Sequence, residues 1–321
     1  MQAIVQNQYG DLAEVMTVQH LDVPGIGADE MLVSVKMSAV SRAETILQSG
    51  TKLDARLFAG ITAPRMTTPG MAIAGVVAAV GTDVDGFRVG DRVYGSLESA
   101  GGLAEQAVVR PTDVVRTLPD ALTFEDAIGI LEAHTAFYFL HDVAAVQPGQ
   151  RVLVNGASGT VGNTAVQIAR HLGAHVVGVC SGVNAARVAA LGAHEVIDYT
   201  QTPLAELEGR YDLVLDAVGT TTFPEVAHLV RDGGRFLTTS ISASIAFWAM
   251  WTRLFGRKRA GIAFAGLNTE VRHLEALEQL VRDGSLVQSI DRVVGLAEVP
   301  EAFAYVASGR KRGNVLVSVA A

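Results

Sequence analysis

The sequence has a single cysteine among its 321 residues, Cys180. That excludes an intrachain disulfide and any metal site built from several thiolates. Basic charge is not in excess: 25 Lys and Arg stand against 33 Asp and Glu, a formal net charge of −8. The electrostatic footprint of a nucleic-acid-binding protein is missing. No uncharged apolar run is long enough to cross a bilayer. The first residues, MQAIVQNQYGD, lack the basic stretch and apolar segment of a secretion signal, so a cytoplasmic location is expected. His20, His134, His141, His171, His175, His194, His228 and His273 show no metal-motif spacing with carboxylates. No catalytic zinc is expected.

What is present is a chain that is 49% hydrophobic and long enough for two domains. The first third reads as short strands punctuated by glycine. MLVSVKMSAV (31–40) partly alternates, AIAGVVAAVG (72–81) is apolar with Gly75 inside it, and DRVYGSL and EQAVVR follow closely. This predicts a barrel-like β region. Near Leu118-Pro119-Asp120 the rhythm changes. LTFEDAIGILEAHTAFYFLHDVAAV has helical apolar spacing, with Thr123 and Asp126 suited to a helix start. From Gln150 strands alternate with helices: QRVLVNG, HVVGVCS, HEVIDY, YDLVLDAVG, GRFLTTSI and GIAFAGL are the strands. That spacing predicts a parallel sheet covered on both faces. EVRHLEALEQLVRDGSL reads as an amphipathic helix and NVLVSVA as a last strand. The domain boundary is expected close to residue 120.

The sharpest motif is VLVNGASGTVGNTAVQIA. A strand runs into Gly156, Gly159 and Gly162, and a helix starts at once. Small residues here let the backbone approach a pyrophosphate, while the helix N-terminus supplies N–H donors and partial positive charge. A glycine turn alone would mean little; a strand before, a helix after and a second strand beyond point to a dinucleotide. An NAD-binding chain would carry an Asp or Glu about 20 residues past the glycines, for the ribose 2′-hydroxyl. This one has VCSGVNAAR, with no acid between Cys180 and Leu191. Ser181 and Asn184 can donate to a 2′-phosphate and Arg187 adds positive charge, which favours NADPH. Ser181 and Asn184 equally suit the start of the next helix.

Those residues, with LGAHEVIDYT, resemble the cofactor domain of the zinc-independent quinone oxidoreductase branch of the medium-chain dehydrogenase/reductase superfamily. GMAIAGVVAAVGTDVDGFRVGDRVYG, SRAETILQSG and AFAYVASGRKRGNVLVSV are also similar to that branch. The resemblance implies an α/β protein. A GroES-like β-barrel substrate domain would span 1–120, completed by 291–321, and a Rossmann doubly wound NADPH-binding domain would span 121–290. It implies that Ser158, Gly159, Thr160 and Val161 lie along the pyrophosphate and that Ser181, Asn184 and Tyr199 surround the 2′-phosphate. Val218, Ser240, Ile241 and Phe264 would line the ribose and nicotinamide, with Thr135 facing the nicotinamide. A homodimer is implied as well.

The chain departs from the pattern in places. Gly70-Met71-Ala72 stands where the superfamily's zinc enzymes carry Gly-His-Glu, and Ser41-Arg42 replaces a common Asn-Pro pair. Glu44 keeps an acidic position, while Ile46 replaces a tyrosine. Ser41, Glu44 and Thr135 are the catalytic candidates. Glu132 and His134 lie two apart on a helix and do not share a face. The expected reaction is NADPH-dependent hydride transfer to a quinone, enone or enal. An alcohol dehydrogenase is disfavoured, because no zinc would polarise an alkoxide; a low-turnover NADPH-binding sensor or scaffold is the reading from a different class. One further stretch, 245–259, combines Phe247, Trp248, Trp251 and Phe255 with Arg253, Arg257, Lys258 and Arg259. It reads as a lid or dimer-contact helix, or as a helix that lies on a membrane surface.

Overall fold

A computed structural model gives the fold and describes residues 1–51, 56–57, 59–240, 242–262 and 269–319. The chain divides into two compact units, Met1–Glu132 with Gln288–Ala321, and Ala133–Val287. The division falls inside the helix Phe124–Phe137, about a dozen residues beyond the Leu118-Pro119-Asp120 change of rhythm. The turn there, closed by Leu122 N–H on the Pro119 carbonyl, is where the strand pattern stops.

Unit 1 begins with a two-stranded antiparallel pair, β1 (Gln2–Gln6) and β2 (Met16–His20). Five strands follow: β3 (Met31–Val40), β4 (Ala72–Val80), β5 (Arg92–Ser96), β6 (Gln106–Val109) and β7 (Val114–Thr117). β3 is the central strand and runs antiparallel to both β4 and β6. Gly75 is needed on β4, because a Cβ there would lie 2.2 Å from the Ser34 carbonyl oxygen of β3. Close approach of two backbones is what glycine inside a strand permits.

Unit 2 is a six-stranded sheet of β8 (Arg151–Asn155), β9 (His175–Cys180), β10 (Glu195–Asp198), β11 (Tyr211–Asp216), β12 (Val230–Thr238) and β13 (Arg259–Ile262). Every pairing is parallel and the order is β10-β9-β8-β11-β12-β13. Val152, Leu153, Val154, Val176, Val177 and Val214 are fully buried, as β-branched and apolar residues must be where helices cover both faces. The helix Thr160–His171 buries Ala165, Val166, Ile168 and Ala169. It stops at Gly173, which takes φ +79° at no steric cost.

The chain then returns to unit 1 with β14 (Ile290–Gly295), the helix Val299–Ala307 and β15 (Asn314–Ser318). β15 pairs with the free edge of β3, Val315 opposite Val40 and Ser318 opposite Met37. Val299, Phe303, Val306, Val315 and Val317 join Ile4, Val33, Val35, Ile73 and Val93 in one core. Each such side chain contributes roughly 1.5–3 kcal/mol by leaving water.

Candidate functional site

The order of strands in unit 2 switches sides at β8, with β9 on one side and β11 on the other. Helices therefore leave opposite faces there, and a crevice opens beyond the carboxyl ends of these strands. The glycine turn emerges from this point. Gly156 holds φ +79°, and Gly159 N–H closes the turn on its carbonyl at 3.0 Å. A Cβ on Gly162 would lie 2.0 Å from the Gly156 carbonyl oxygen, and one on Gly156 would lie 2.4 Å from Val218 Cγ2. A Cβ on Gly159 would meet nothing closer than that carbonyl at 3.5 Å. Two glycines are thus fixed by packing, and the third leaves its side open. Thr160 starts the helix, and Gly159 at its N-cap brings no side-chain acceptor. A positive helix end whose N-cap residue carries no side chain suits a pyrophosphate. The residues present fit a dinucleotide.

Asp216, at the end of β11, organises the site, and nothing in the sequence reading singled it out. Its side chain is fully buried. It accepts from Asn155 Nδ2 at 3.0 Å, Val218 N at 3.2 Å, Gly219 N at 3.2 Å, Thr221 N at 3.0 Å and Thr238 Oγ1 at 3.3 Å. One carboxylate therefore ties together the ends of β8, β11 and β12. Val218 is placed against Gly156 by this network, and Ser240 against Gly219, whose would-be Cβ lies 2.8 Å from Ser240 Cβ. The clue available beforehand was an acid at a strand end beside a turn glycine, a common combination.

The second strand ends in a small polar group. Asn184 Nδ2 donates to Ser181 Oγ at 3.0 Å and to Ser158 Oγ at 3.4 Å, so the adenosine and pyrophosphate candidates meet. Tyr199 is half exposed, and its N–H reaches the Cys180 carbonyl at 3.1 Å. Arg187 is half-buried one turn further on, in the helix Ala185–Ala190. Val161, next to Thr160, is also half-buried. Sequence distance concealed one acid here. Asp198, from β10, accepts from the backbone and hydroxyl of Thr200 and from Gly182 N–H, which hold its carboxyl below the usual range. Cys180 is buried and its thiol is pushed up by burial and then by Asp198, the opposite of an activated nucleophile. Ile241 and Phe264 lie outside the described residues.

Thr135 is half-buried on the helix Phe124–Phe137. Its neighbour His134 enters a buried chain. His134 Nε2 lies 3.1 Å from His273 Nδ1, and His273 Nε2 lies 2.8 Å from Asp142 Oδ2. Asp142 arrives there because Tyr138–Val143 continues the helix with wider turns, Ala144 N–H reaching the Phe139 carbonyl. Such widening is frequent at functional positions. With Asp142 ionised, His273 donates to it and accepts from His134. His134 Nδ1 faces Thr269 Oγ1 at 3.5 Å. Burial first, then His273, lowers the His134 pKa to about 4, so the ring is neutral at physiological pH.

Known proteins share both halves of this arrangement. Residues 27–120 match the family described as "Alcohol dehydrogenase GroES-like domain" and residues 191–317 the one described as "Zinc-binding dehydrogenase". The chain is 30% identical to a human quinone oxidoreductase, over 76% of this chain and 74% of that one. It is 31% identical to the trans-enoyl reductase pgmF of Aspergillus terreus (strain NIH 2624 / FGSC A1156), over 79% and 77%. The chain belongs to the quinone oxidoreductase branch of the medium-chain dehydrogenase/reductase superfamily. A match to the polyketide synthase GfsB of Streptomyces halstedii, 35% identical over 77% of this chain, spans 4% of that protein. The quinone oxidoreductase of Coxiella burnetii superposes with a TM-score of 0.86 at 23% identity, covering 100% and 99% of the two chains. That of Pseudomonas syringae pv. Tomato DC3000 gives 0.85 at 25% identity, covering 99% of each. Unit 1 is thus the GroES-like domain and unit 2 the Rossmann domain of an oxidoreductase.

The name "zinc-binding" does not fit the side chains here. Among the described residues no group of three or more His, Cys, Asp or Glu could hold a metal ion. At Gly70-Met71-Ala72 the backbone has another use. Gly70 N–H and Met71 N–H both donate to Glu44 Oε1 at 2.9 Å, while Glu44 Oε2 accepts from Ser41 N at 3.2 Å. Ser41 Oγ accepts in turn from Glu44 N at 3.2 Å. The two catalytic candidates of the GroES-like domain therefore form the capping box of the helix Arg42–Ser49. Burial pushes the Glu44 and Glu132 carboxyls up and the Lys311 ammonium down.

Proposed function

We propose that this protein is a zinc-independent reductase that uses NADPH to reduce a quinone or an α,β-unsaturated ketone or aldehyde. The observation that carries this reading is the helix N-terminus behind Gly159, joined through Ser158 to the Ser181–Asn184 pair, beside which the Asp198 carboxylate is taken up by Thr200 and Gly182. Gly156, Ser158, Gly159, Thr160, Val161 and Gly162 would hold the pyrophosphate. Ser181, Asn184, Arg187 and Tyr199 would hold the 2′-phosphate, and Val218, Ser240, Ile241, Phe264 and Thr135 the nicotinamide end. The cofactor supplies a hydride. The chain supplies orientation and exclusion of water.

Negative charge developing on an acceptor oxygen calls for fixed donors. Thr135 and Ser240 are the candidates in the Rossmann domain. Ser41 is the candidate in the GroES-like domain, where Glu44 fixes its turn through the capping box and acts as a positioning residue. Relatives named for quinone reduction and for enoyl reduction both support an acceptor with a polarised conjugated bond. Among the described residues β13 is paired on one edge only, which supports a homodimer formed through that edge.

The deciding measurement is NADPH oxidation, followed by absorbance, against a panel of quinones, enones and enals. Turnover with at least one acceptor class is expected. Tight NADPH binding with no oxidation by any of them would replace the enzyme reading with a nucleotide-binding sensor. Ser181→Asp combined with Asn184→Ala should weaken NADPH binding by about tenfold or more and favour NADH, since a carboxylate repels the 2′-phosphate and accepts from a 2′-hydroxyl. Unchanged NADPH affinity in that variant would overturn the assignment of the 2′-phosphate pocket.

A further inference from the structure

The helix Ala243–Phe255 is apolar on the side that faces water. Its inner face is accounted for: Ile245 and Thr252 are buried, and Trp248 packs on Phe223 with ring centroids 5.6 Å apart. A helix on a protein surface ordinarily turns charged or polar residues outward. Here Phe247, Met250, Trp251, Leu254 and Phe255 are 49%, 62%, 49%, 67% and 71% exposed. They fall at i, i+3, i+4, i+7 and i+8, a complete second apolar stripe. The aromatic members form a ladder along it, Phe247 to Trp251 at 6.1 Å and Trp251 to Phe255 at 4.9 Å. Single exposed apolar residues need no explanation, but a contiguous stripe marks a contact surface.

Charge says what the surface would contact. Residues 242–259 contain no acid and four bases, Arg253, Arg257, Lys258 and Arg259, in a chain whose net charge is −8. Three of them gather just past the helix C-terminus and are held there. Lys258 Nζ donates to the Ala227 carbonyl at 2.5 Å, Arg259 donates to the Thr252 carbonyl, and Arg257 pairs with Asp232 at 3.3 Å. A second copy laid antiparallel on the stripe about a two-fold axis would face these bases with the acid-free N-terminal half of its own helix, which offers them no opposite charge. A surface with apolar depth and negative headgroups would satisfy both parts at once. The helix has 13 residues, short of the roughly 20 a bilayer crossing needs, and no helix among the described residues is long and apolar enough to span.

We propose that the helix Ala243–Phe255 docks this protein in the plane of an anionic lipid surface, with the five-residue stripe inserted and the exposed Arg253, Arg257 and Arg259 against the headgroups. The surface is independent of which acceptor the enzyme reduces. It would bring the protein to the phase in which apolar quinones and enones concentrate.

Both tryptophans of the chain, Trp248 and Trp251, lie on this helix, so intrinsic fluorescence reports on it alone. The full chain is titrated with vesicles of phosphatidylcholine and, separately, of phosphatidylcholine mixed with phosphatidylglycerol, and pelleted with each. A blue shift and co-sedimentation with the mixed vesicles are expected, weakened by high salt as surface charge is screened. Trp251→Ser with Phe255→Ser should abolish both signals, while the emission of Trp248, packed on Phe223, reports an intact fold. Arg253→Glu should weaken binding about tenfold while keeping the apolar stripe. Absence of binding to mixed vesicles overturns the proposal, as does equal binding by the double variant. A dimer in light scattering that Phe255→Ser dissociates, with no vesicle binding, would assign the stripe to a contact between copies instead.

Discussion

Removing the Asp216 carboxylate would take the acceptor from five donors at once, the buried Thr238 hydroxyl and the part-buried Val218, Gly219, Thr221 and Asn155 groups, of which only Asn155 Nδ2 keeps another partner, Thr221 Oγ1. A buried donor left unpaired costs more than its hydrogen bond contributed. Asp216→Ala is therefore expected to lose about 3 kcal/mol of stability in urea unfolding and to weaken NADPH binding about tenfold or more. Wild-type stability in that variant would refute its organising role. His134 makes a different prediction. The unfolded chain carries it near the ordinary value of 6.5, the folded chain near 4. Between those values the unfolded state takes up a proton that the folded state refuses, so stability is intact above pH 6.5 and falls as pH drops through the window. The loss reaches about 3 kcal/mol, and the buried partner His273 and the charges of Asp142 and Glu270 act on the same ring. His134→Asn should flatten that part of a stability-against-pH curve; an unaltered slope would mean that His134 is not held neutral. Asp216 was not legible in the sequence, and His134 stood out there only beside Glu132, without the partners that hold it. The chain through His134, Asp142 and His273 depends on a helix widened at Tyr138–Val143, for which apolar spacing carries no signal. Ser181 and Asn184, by contrast, were noticed because residues 181–190 hold no acid, while Asp198, brought beside Gly182 from the next strand, was not foreseen.

Among the elements, the glycine turn was the most legible because two of its glycines, Gly156 and Gly162, answer a steric demand. Gly162→Ala would drive a methyl group to 2.0 Å from the Gly156 carbonyl oxygen, and neither backbone has room to move without opening the turn. A loss of about 1–3 kcal/mol is expected, with weaker NADPH binding in calorimetry. Gly159→Ala meets only an ordinary 3.5 Å contact and should leave stability within about 0.5 kcal/mol. Equal losses for the two would sink the distinction between packed and open glycines. The strands of the Rossmann domain were readable from continuous apolar runs, since both faces are covered. The helix Arg42–Ser49 was less so. Ser41 and Glu44 announce a capping box by their three-residue spacing, but nothing local shows that the Glu44 carboxylate also receives Gly70 and Met71, 26 and 27 residues further along the chain.

At the scale of the whole molecule, NADPH is predicted to act on the Rossmann domain, residues 133–287. Ligand that binds only the folded state adds about 2.7 kcal/mol when present at 100 times its Kd. Hydrogen exchange should slow in β8, β9 and β11 and in the helix Thr160–His171 on NADPH addition. Slowing confined to the GroES-like domain would place the nucleotide elsewhere. The two-domain plan could be read from the change of rhythm near residue 120, because strand-period and helix-period patterns cannot be confused over such lengths. The return of the chain to the first domain followed only from family likeness, since a lone final strand does not say which edge it will join. That return has a consequence for synthesis. β3 precedes the Rossmann domain in the chain and its partner β15 follows it, so the GroES-like core stays unfinished while the whole Rossmann domain can fold in one contiguous piece. An apolar strand edge is left waiting while the Rossmann domain is made, and of the two domains the one begun first is completed last.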